Sequence, residues 1–352
     1  MTWSLCKAIL GEVSRTFAVP IGMLREPLER AVTVGYLLCR VVDTVEDEPD
    51  LPLPLRDALY AAFLGVVERG LPAEGFVALF DEAVPREPGE VADRRLARAL
   101  PAVMDVFEAL PDAARAPLRR WVTEMARGMA IYSRRPAGPD GVVAVTTLAD
   151  LERYCYFVAG TVGHLLTELF LDALPDLDDD RYVTLVTHAE QFGLGLQLVN
   201  IVKDITDDLE RGVAFVPRAA CAAQRLQPAD LVDPARRDAA HAAVAPVLAR
   251  AERALAGAVA YTLAVPPDAT DVRMFCLLPL ALAVATLDLA RGNDALFTPG
   301  APVKISREAV AATVSRCAAI CGDDDAVRAA FLAPLSAAAA PAAGAAALEL
   351  AG

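Results

Sequence analysis

The chain has 352 residues, of which 55% are hydrophobic, 23% charged and 6% aromatic. A composition this apolar supports a large buried core and excludes a disordered or collagen-like protein. The 33 basic and 47 acidic side chains leave a formal net charge of −14 at pH 7. This acidic surplus argues against nucleic acid as a partner, because no excess of cations is present to replace phosphate counterions.

Seven cysteines are scattered through apolar stretches, and no Cys-x-x-Cys pair occurs. We therefore expect buried, reduced thiols rather than a zinc site or a disulfide framework. The segment Met1–Lys7 lacks the basic and apolar regions of a signal peptide. The charge-free run Phe275–Leu287 contains a proline and is too short to span a bilayer, so we expect no transmembrane anchor.

In chain order, helical periodicity recurs almost everywhere and alternating strand-like runs are nearly absent. The first predicted helix begins at about Pro27 and ends at Glu48, and the proline-rich run Leu51–Leu55 is predicted to be a break. Further helices are predicted over Leu96–Leu110, Ala116–Ser133, Leu148–Leu174, Tyr182–Leu209, Asp238–Leu263, Val272–Arg291 and Arg307–Ile320. Because the breaks are too short for linkers, we predict one all-α domain over residues 1–335 and an Ala-rich tail over 336–352.

The first chemical signal is the segment Asp43–Asp47, which reads Asp-Thr-Val-Glu-Asp. On a helix, positions 36, 40, 43 and 47 fall within about 60° of one another at 100° per residue. Tyr36, Arg40, Asp43 and Asp47 therefore form one polar stripe on an otherwise apolar helix. Such a stripe is costly to bury unless it faces a wet cavity or binds a ligand.

A second acidic segment, Gln197–Asp208, repeats this arrangement on another predicted helix. Its residues Gln197, Asn200, Asp204 and Asp208 share a face, and Lys203 and Asp207 flank it. Two carboxylates four residues apart can reach one hard cation, and two such helices facing each other could hold several Mg²⁺ ions. An acidic cavity that binds an anionic diphosphate needs that metal bridge.

The alternative is that these carboxylates lie on solvated helix ends, as a single Asp-x-x-x-Asp usually does. Two copies at matching phase, each on an apolar helix, argue for a site instead. By contrast, the runs Asp178–Asp180 and Asp323–Asp325 stand at predicted helix starts without apolar context. We interpret these two runs as helix caps and solvated loops.

Four more segments accompany the acidic pair: Ser14–Phe17, Tyr154–Gly163, Phe215–Pro217 and a late run from Phe275 to Arg307. In this order and spacing the six segments resemble the squalene/phytoene synthase family, and its squalene synthase branch most of all. The resemblance implies an all-α isoprenoid synthase fold of the class I terpenoid synthase type, a helical bundle around a central cavity. It also implies Mg²⁺-dependent head-to-head condensation of two farnesyl diphosphates, via presqualene diphosphate, to squalene, with NADPH for the reductive step.

The resemblance also implies roles for individual residues. Tyr154 matches the catalytic tyrosine, and Asp43, Asp47, Asp204 and Asp208 are the expected catalytic carboxylates. The candidate metal ligands are Asp43, Glu46, Asp47, Asn200, Asp204, Asp207 and Asp208. The candidate substrate-binding residues are Ser14, Arg15, Phe17, Tyr36, Arg40, Gln197, Asn200 and Lys203. Lys304 and Arg307 match a late basic cluster that would bind a phosphate or NADPH; the alternative is that they are isolated surface charges.

Several positions depart from the family pattern and leave alternatives open. Lys203 stands where the family usually has arginine, and lysine cannot make the planar two-pronged phosphate contact. Val213 stands where an arginine is common, with Arg211 close by, and Tyr156-Phe157 replace a common His-Tyr pair. The alternatives are an enzyme that stops at presqualene diphosphate, one that makes dehydrosqualene or phytoene, and a prenyltransferase with a non-isoprenoid acceptor.

A non-catalytic prenyl-diphosphate binder belongs to a different class, and two complete acidic segments together with Tyr154 argue against it. Under the favoured interpretation we expect a cytoplasmic protein that meets the membrane, if at all, through its lipophilic product.

Overall fold

The computed structural model of the protein describes residues 2–14, 16–49, 51–87, 89–332 and 335. The helices before residue 140 are α1 (Thr2–Val13), α2 (Ala18–Met23), α3 (Leu28–Asp47), α4 (Leu53–Arg69), α5 (Glu74–Ala83), α6 (Ala92–Arg98), α7 (Leu100–Glu108) and α8 (Asp112–Tyr132). Those after it are α9 (Leu148–Cys155), α10 (Thr161–Ala173), α11 (Asp179–Lys203), α12 (Ile205–Glu210), α13 (Arg218–Ala223), α14 (Arg237–Ala264), α15 (Thr270–Ala290), α16 (Arg307–Ile320) and α17 (Asp324–Val327).

Few other regular elements interrupt these helices in the described ranges. A π-helical segment, Tyr156–Gly160, joins α9 to α10. Strands β1 (Val143–Ala144) and β2 (Val213–Ala214) form one short parallel pair, with Val143 opposite Val213. Shorter helical turns lie at Pro228–Val232, Pro234–Arg236, Asp294–Phe297 and Arg328–Leu332. The prediction of an all-α protein is confirmed.

The long helices α3, α8, α10, α11, α14 and α15 enclose the core, and α11 packs along α14. Their buried apolar side chains form one continuous cluster. Helix α3 ends at Glu48, whose ψ of 109° leaves the helical region. The following Pro49 explains this end, since proline disfavours helical geometry in the residue before it.

The predicted helix Leu96–Leu110 is two helices in the structure, α6 and α7, separated at Ala99. Pro101 accounts for the break, because it lacks a backbone N–H and its ring clashes with the preceding turn. At the first turn of α7 the same residue is well tolerated, since the N–H groups there have no helical partner.

The predicted break over Leu51–Leu55 is wrong, because α4 begins within it at Leu53. Pro52 precedes the helix and Pro54 lies in its first turn, where a missing N–H costs nothing. Helix α4 ends at Gly70, whose φ of 66° is the left-handed conformation that glycine adopts readily.

The predicted helix Tyr182–Leu209 is interrupted at Asp204, whose φ of −104° and ψ of 16° separate α11 from α12. The helical register nevertheless continues through the break. The Asp204 N–H donates to the Asn200 carbonyl at 3.0 Å, and the Asp208 N–H donates to the Asp204 carbonyl at 2.9 Å. The residues of the second acidic segment therefore stay on one side of the chain.

Two smaller predictions are confirmed. The Asp178 side chain caps α11 by accepting from the Arg181 N–H, and Asp323 caps α17 by accepting from the Ala326 N–H. All seven cysteines are buried and unpaired. The predicted tail over residues 336–352 lies outside the described residues, so its boundary stays a prediction.

Two helical stretches, Leu148–Ala173 and Thr270–Ala290, are long and apolar enough to cross a membrane by length and composition. The charge-free run at Phe275 belongs to the second of these, a helix of 21 residues, and the expected absence of a transmembrane anchor stays a prediction. Within the most apolar windows, 61% of the first stretch and 78% of the second are buried inside the protein. The core helices of soluble proteins meet the same criterion, so the two stretches are weak evidence for a membrane span.

Two glycines allow close backbone contact with α11: Gly163 of α10 meets α11, and Gly193 of α11 meets the π-helical segment Tyr156–Gly160. A Cβ atom on Gly163 would lie 2.0 Å from the carbonyl oxygen of Ala189, and one on Gly193 would lie 2.0 Å from that of Ala159. Neither distance is compatible with a side chain, and a backbone carbonyl cannot swing away. Both glycines also line the central cavity, so this contact sets the separation of two of its walls.

We expect Gly163→Ala to destabilise the protein by about 3 kcal/mol, because the added methyl group must push α11 away from α10. Equilibrium urea unfolding measures this loss. The control is Gly11→Ala in α1, where nothing lies within 4 Å of an added Cβ. That control should gain about 0.5–1 kcal/mol from helix propensity. Equal stabilities of the two variants would contradict the close helix contact.

Candidate active site

A single cavity of about 640 Å³ runs between the long helices, within the part of the chain that the structure describes. One region of its lining is polar and solvent-facing, with Asp47 and Arg211 side chains 43% and 45% exposed. The remaining lining is mostly apolar and buried. Its apolar members include Ile21, Val32, Met125, Val158, Val162, Leu165, Leu166, Leu169, Phe192, Leu196, Ile201, Phe215 and Phe275.

Helix α3 brings the whole first acidic stripe to the cavity. Tyr36, Arg40, Asp43 and Asp47 all line it, and Glu46 joins them. The other faces of α3 are buried in the core through apolar side chains. From Asp47 to Val32 the helix rises about 22 Å, so the wall passes from carboxylates to hydrocarbon along one element.

A short neighbouring helix, α6, holds the guanidinium of Arg40 in place. Arg40 Nε donates to Asp93 Oδ1 at 2.8 Å, and Arg40 Nη2 donates to Asp93 Oδ2 at 3.0 Å. The next residue, Arg94, makes a similar two-pronged contact with Glu48 at the end of α3. Asp93 occupies one edge of the guanidinium, and the remaining Nη1 of Arg40 pairs with Asp43 at the cavity, 3.6 Å from its Oδ2.

The second acidic segment lines the facing wall through Gln197, Asn200, Lys203, Asp204 and Asp208. The Lys203 ammonium is ion-paired with the neighbouring Asp204 carboxylate. The break in the helix does not disperse the set, because the backbone hydrogen bonds through Asp204 preserve its register. Asp207, by contrast, is exposed and lies outside the lining.

The carboxylates at this end of the cavity repel one another and are poorly solvated. Burial, Asp47 and other neighbours raise the pKa of Asp43 to about 7, against the attraction of Arg40. Burial and the carboxylates of Asp47 and Asp43 raise the pKa of Glu46 to about 8. Burial raises the pKa of Asp208 to about 6, although Arg211 opposes the shift. Binding a proton or a metal cation would therefore relieve the repulsion in this cluster.

This donor set fits a hard cation such as Mg²⁺, which prefers carboxylate and amide oxygens. In the described ranges, however, no group of three or more His, Cys, Asp or Glu side chains is close enough to hold a metal ion. An ion here would be bound by one or two carboxylates from a segment and would complete its coordination with ligand oxygens. Mg²⁺ binds in this way beside phosphates.

Tyr154, at the end of α9, is buried beside the first acidic segment. Its hydroxyl donates to the Glu46 carboxylate, 3.4 Å from each oxygen. The ring stacks on Phe215 with centroids 4.5 Å apart and meets the edge of Tyr132 at 5.2 Å. Burial and the charge of Glu46 hold the pKa of Tyr154 well above its ordinary value, so the phenol keeps its proton.

The N-terminal candidates are only partly placed. Phe17 lines the cavity, with its ring centroid 5.8 Å from that of Tyr36. Ser14 is buried behind the lining, where its hydroxyl accepts the Phe17 N–H at 2.9 Å and hydrogen-bonds to Tyr36. Arg15 lies outside the described residues.

The predicted reductant-binding pair is not brought to the cavity. Lys304 lies in an irregular segment and Arg307 begins α16; both side chains are exposed, and neither lines the cavity. The cavity is thus lined by Tyr154, the two acidic segments and Phe17. Ser14 lies outside the lining and hydrogen-bonds to Phe17 and Tyr36. Asp207, Lys304 and Arg307 are left on the outside.

Sequence reasoning missed three contributors to the site. Asp93 orients Arg40, Phe215 stacks on Tyr154, and Arg211 bridges Asp47 and Asp208. Phe215 lies in a segment that matches the family, and this match could have marked it as a site residue. Asp93 had no signal, because it stands 53 residues from its partner in an ordinary charged helix.

Comparison with known proteins agrees with this arrangement. The family model for squalene/phytoene synthase matches residues 10–309. The squalene synthase of Schizosaccharomyces pombe is 30% identical over 299 residues, which cover 85% of this chain and 62% of that protein. That of Dictyostelium discoideum is 26% identical over 294 residues, covering 83% and 65%. The chain therefore spans less than two thirds of the length of these relatives.

Solved structures agree on the fold. The structure of TcSQS with a bound ligand has a TM-score of 0.79 at 27% identity, covering 98% of this chain and 94% of that chain. A squalene synthase from Alicyclobacillus acidocaldarius has a TM-score of 0.54 at 22% identity, covering 82% and 94%, and shares the fold. The expected isoprenoid synthase bundle is confirmed by these likenesses.

The raised pKa of Glu46 makes a prediction for the metal-free protein. The folded state retains a proton that the unfolded chain loses at lower pH, so stability should fall as the pH rises from about 5 to about 8. Glu46→Gln removes this proton uptake, so its melting temperature in EDTA should fall less over that range than the wild type's. The surface variant Glu68→Gln should parallel the wild type. If the melting temperature of Glu46→Gln changed with pH as much as those of the wild type and Glu68→Gln, the raised pKa of Glu46 would be contradicted.

Proposed function

Because the chain belongs to the squalene/phytoene synthase family, we propose that it condenses two farnesyl diphosphates head to head. In this proposal the reaction passes through presqualene diphosphate to squalene, requires Mg²⁺, and uses NADPH for its reductive step. The observation that carries the proposal is the cavity, which has two facing carboxylate segments at one region and hydrocarbon elsewhere. This division suits two ligands that each have an anionic head and an apolar tail.

The anionic heads would bind at the two acidic segments. Asp43 and Asp47 on α3, with Asp204 and Asp208 on the facing wall, would hold Mg²⁺, which when bound neutralises the diphosphate and favours its departure. Because Asp93 occupies one edge of the Arg40 guanidinium, the Nη1 of Arg40 faces the cavity, where it pairs with Asp43. Lys203 adds a second cation beside Asp204. These cations would bind phosphate oxygens directly.

The prenyl tails would lie against the apolar lining. When the carbon–oxygen bond of one prenyl diphosphate breaks, the diphosphate leaves with the electron pair and an allylic cation remains. The double bond of the second chain then supplies the electrons for the new carbon–carbon bond, and loss of a proton closes a cyclopropane. Leu165, Phe192 and Phe275 exclude water that would otherwise quench the cation as an alcohol.

Two groups can take the proton that closes the cyclopropane. One is the released diphosphate. The other is Tyr154, which keeps its own proton and can accept another only by passing the first to Glu46, 3.4 Å away, while that carboxyl is in its ionised form. The stacked Phe215 holds the phenol ring in the cavity wall for this purpose. Tyr154 is therefore proposed as the residue through which the proton leaves the substrate.

The reductive half of the reaction has less support from this chain. Lys304 and Arg307, the residues assigned to NADPH, are exposed and lie outside the lining, so they do not form a cofactor site there. This observation favours a second candidate, an enzyme of the same family that stops at presqualene diphosphate. For either product we propose a cytoplasmic protein, with membranes receiving whatever lipophilic product it makes.

Product analysis tests the proposal. The protein is incubated with farnesyl diphosphate and Mg²⁺, with and without NADPH, and the extracts are analysed by mass spectrometry. Squalene that forms only with NADPH supports the first candidate, and presqualene diphosphate under both conditions supports the second. Asp43→Asn should give no product at any Mg²⁺ concentration, whereas the helix-cap variant Asp178→Asn should be active. No turnover of any prenyl diphosphate by the wild type would refute the head-to-head proposal.

The role of Tyr154 makes a separate prediction. Tyr154→Phe keeps the ring that stacks on Phe215 but removes the hydroxyl, so kcat should fall at least about 100-fold while KM changes little. Steady-state kinetics measure both constants. Tyr156→Phe, two residues on and outside the lining, is the matched control and should retain wild-type kcat. A fully active Tyr154→Phe enzyme would assign the proton to the diphosphate.

A further inference from the structure

One arginine links the two acidic segments directly. Arg211 Nη1 lies 2.5 Å from Asp47 Oδ1 on α3, and its Nη2 lies 2.5 Å from Asp208 Oδ1 on α12. Both carboxylates belong to the set that would hold Mg²⁺. The guanidinium therefore occupies carboxylate oxygens that a metal ion would need.

Hydrogen bonds hold the backbone of Arg211, whereas its side chain is partly exposed. The Arg211 N–H donates to the carbonyls of Asp207 and Asp208 at the end of α12. The next residue, Gly212, has a φ of 76°, and its carbonyl accepts the Val143 N–H at 2.9 Å beside the β1–β2 pair. The side chain is 45% exposed. It can change partners by rotating its own bonds, without movement of the chain.

The other cationic side chains of the described lining are less able to change their ion-pair partners. Arg40 has two of its N–H groups committed to Asp93. Arg56 donates to the Glu48 carbonyl, and its Nε is buried. Lys203 is paired with Asp204 and has a point charge in place of a planar fork. Of these four cations, only Arg211 has both terminal guanidinium nitrogens paired with predicted metal ligands.

We propose that Arg211 exchanges partners when the site is loaded. Without ligands, it neutralises Asp47 and Asp208 and joins the two segments. When metal ions take those carboxylates, the released guanidinium binds the substrate diphosphate through two parallel hydrogen bonds, a contact that Lys203 cannot make. This inference rests on the proposed function, because it needs a diphosphate at this region of the cavity.

The exchange has two consequences of opposite sign. In the absence of diphosphate, Arg211 competes with metal for the same oxygens, so removing it should strengthen metal binding. In the presence of Mg²⁺, Arg211 is a ligand of the diphosphate, so removing it should weaken diphosphate binding. A variant that merely loosened the fold would weaken both.

The chain offers a closely matched control in Arg291. Like Arg211, it follows the last residue of its helix and pairs with an aspartate three residues earlier, Asp288, and with a carboxylate on another helix, Glu252. Its side chain is 33% exposed, and it does not line the cavity. Arg291→Gln therefore removes an equivalent bridge away from the site.

The experiment compares wild type, Arg211→Gln and Arg291→Gln. Mn²⁺ replaces Mg²⁺ in the first titration, because its electron paramagnetic resonance signal distinguishes free from bound ion. Arg211→Gln should bind Mn²⁺ about fivefold more tightly than wild type, the scale of a half-exposed ion pair. Calorimetric titration with inorganic pyrophosphate in Mg²⁺ should show about tenfold weaker binding, as for one lost charged hydrogen bond. Arg291→Gln should match the wild type in both titrations.

A third variant separates charge from shape. Arg211→Lys keeps the positive charge that competes with Mn²⁺ but loses the fork, so its Mn²⁺ affinity should approach that of wild type while pyrophosphate binding stays weak. The proposed exchange would be refuted if Arg211→Gln bound Mn²⁺ as tightly as wild type or more weakly. Unchanged pyrophosphate binding by Arg211→Gln would refute it as well.

Wild-type behaviour distinguishes this failure from a failure of the proposed function. If the wild type binds pyrophosphate and converts farnesyl diphosphate but Arg211→Gln matches it in both titrations, only the exchange is wrong. If the wild type neither binds pyrophosphate nor turns over a prenyl diphosphate, the proposed function fails first.

Discussion

The structure depends on one electrostatic constraint: carboxylates from two helices share one poorly solvated region of a cavity. Their burial and mutual repulsion raise the pKa values of Asp43, Glu46 and Asp208 to about 7, 8 and 6. Arg40, Lys203 and Arg211 offset part of the negative charge through ion pairs. Because this compensation is incomplete, the region favours additional cations and, through them, anionic ligands.

The rest of the fold keeps this charged region at a defined width. Gly163 and Gly193 let α11 meet α10 and the π-helical segment backbone to backbone, which sets the distance between two walls. Asp93, on the short helix α6, orients Arg40 from outside the lining. The long apolar helices then extend the same walls into hydrocarbon, so a polar region and an apolar region of the cavity arise from single elements.

The helices that periodicity predicted well are long and buried, such as α3, α14 and α15, since burial makes the apolar pattern strong. Two of the errors lie at prolines. Pro101 starts a second helix inside a predicted one, whereas Pro54 lies in the first turn of α4 instead of marking a break. Whether a proline ends or begins a helix depends on which neighbouring N–H groups find partners, and that is settled by packing.

The sequence by itself determined the all-α class, the family resemblance and the faces on which Asp43, Asp47, Asp204 and Asp208 lie, because helical phase is a local property. Only the tertiary structure decided which of these faces meet and what stands between them. Arg211 pairs with Asp47 across 164 positions, and Asp93 pairs with Arg40 across 53 positions. Such partners are invisible in the sequence, because a charged side chain on a helix looks the same whether it meets solvent or another helix. The same packing left Lys304 and Arg307 on the surface, although the family resemblance had assigned them to a cofactor.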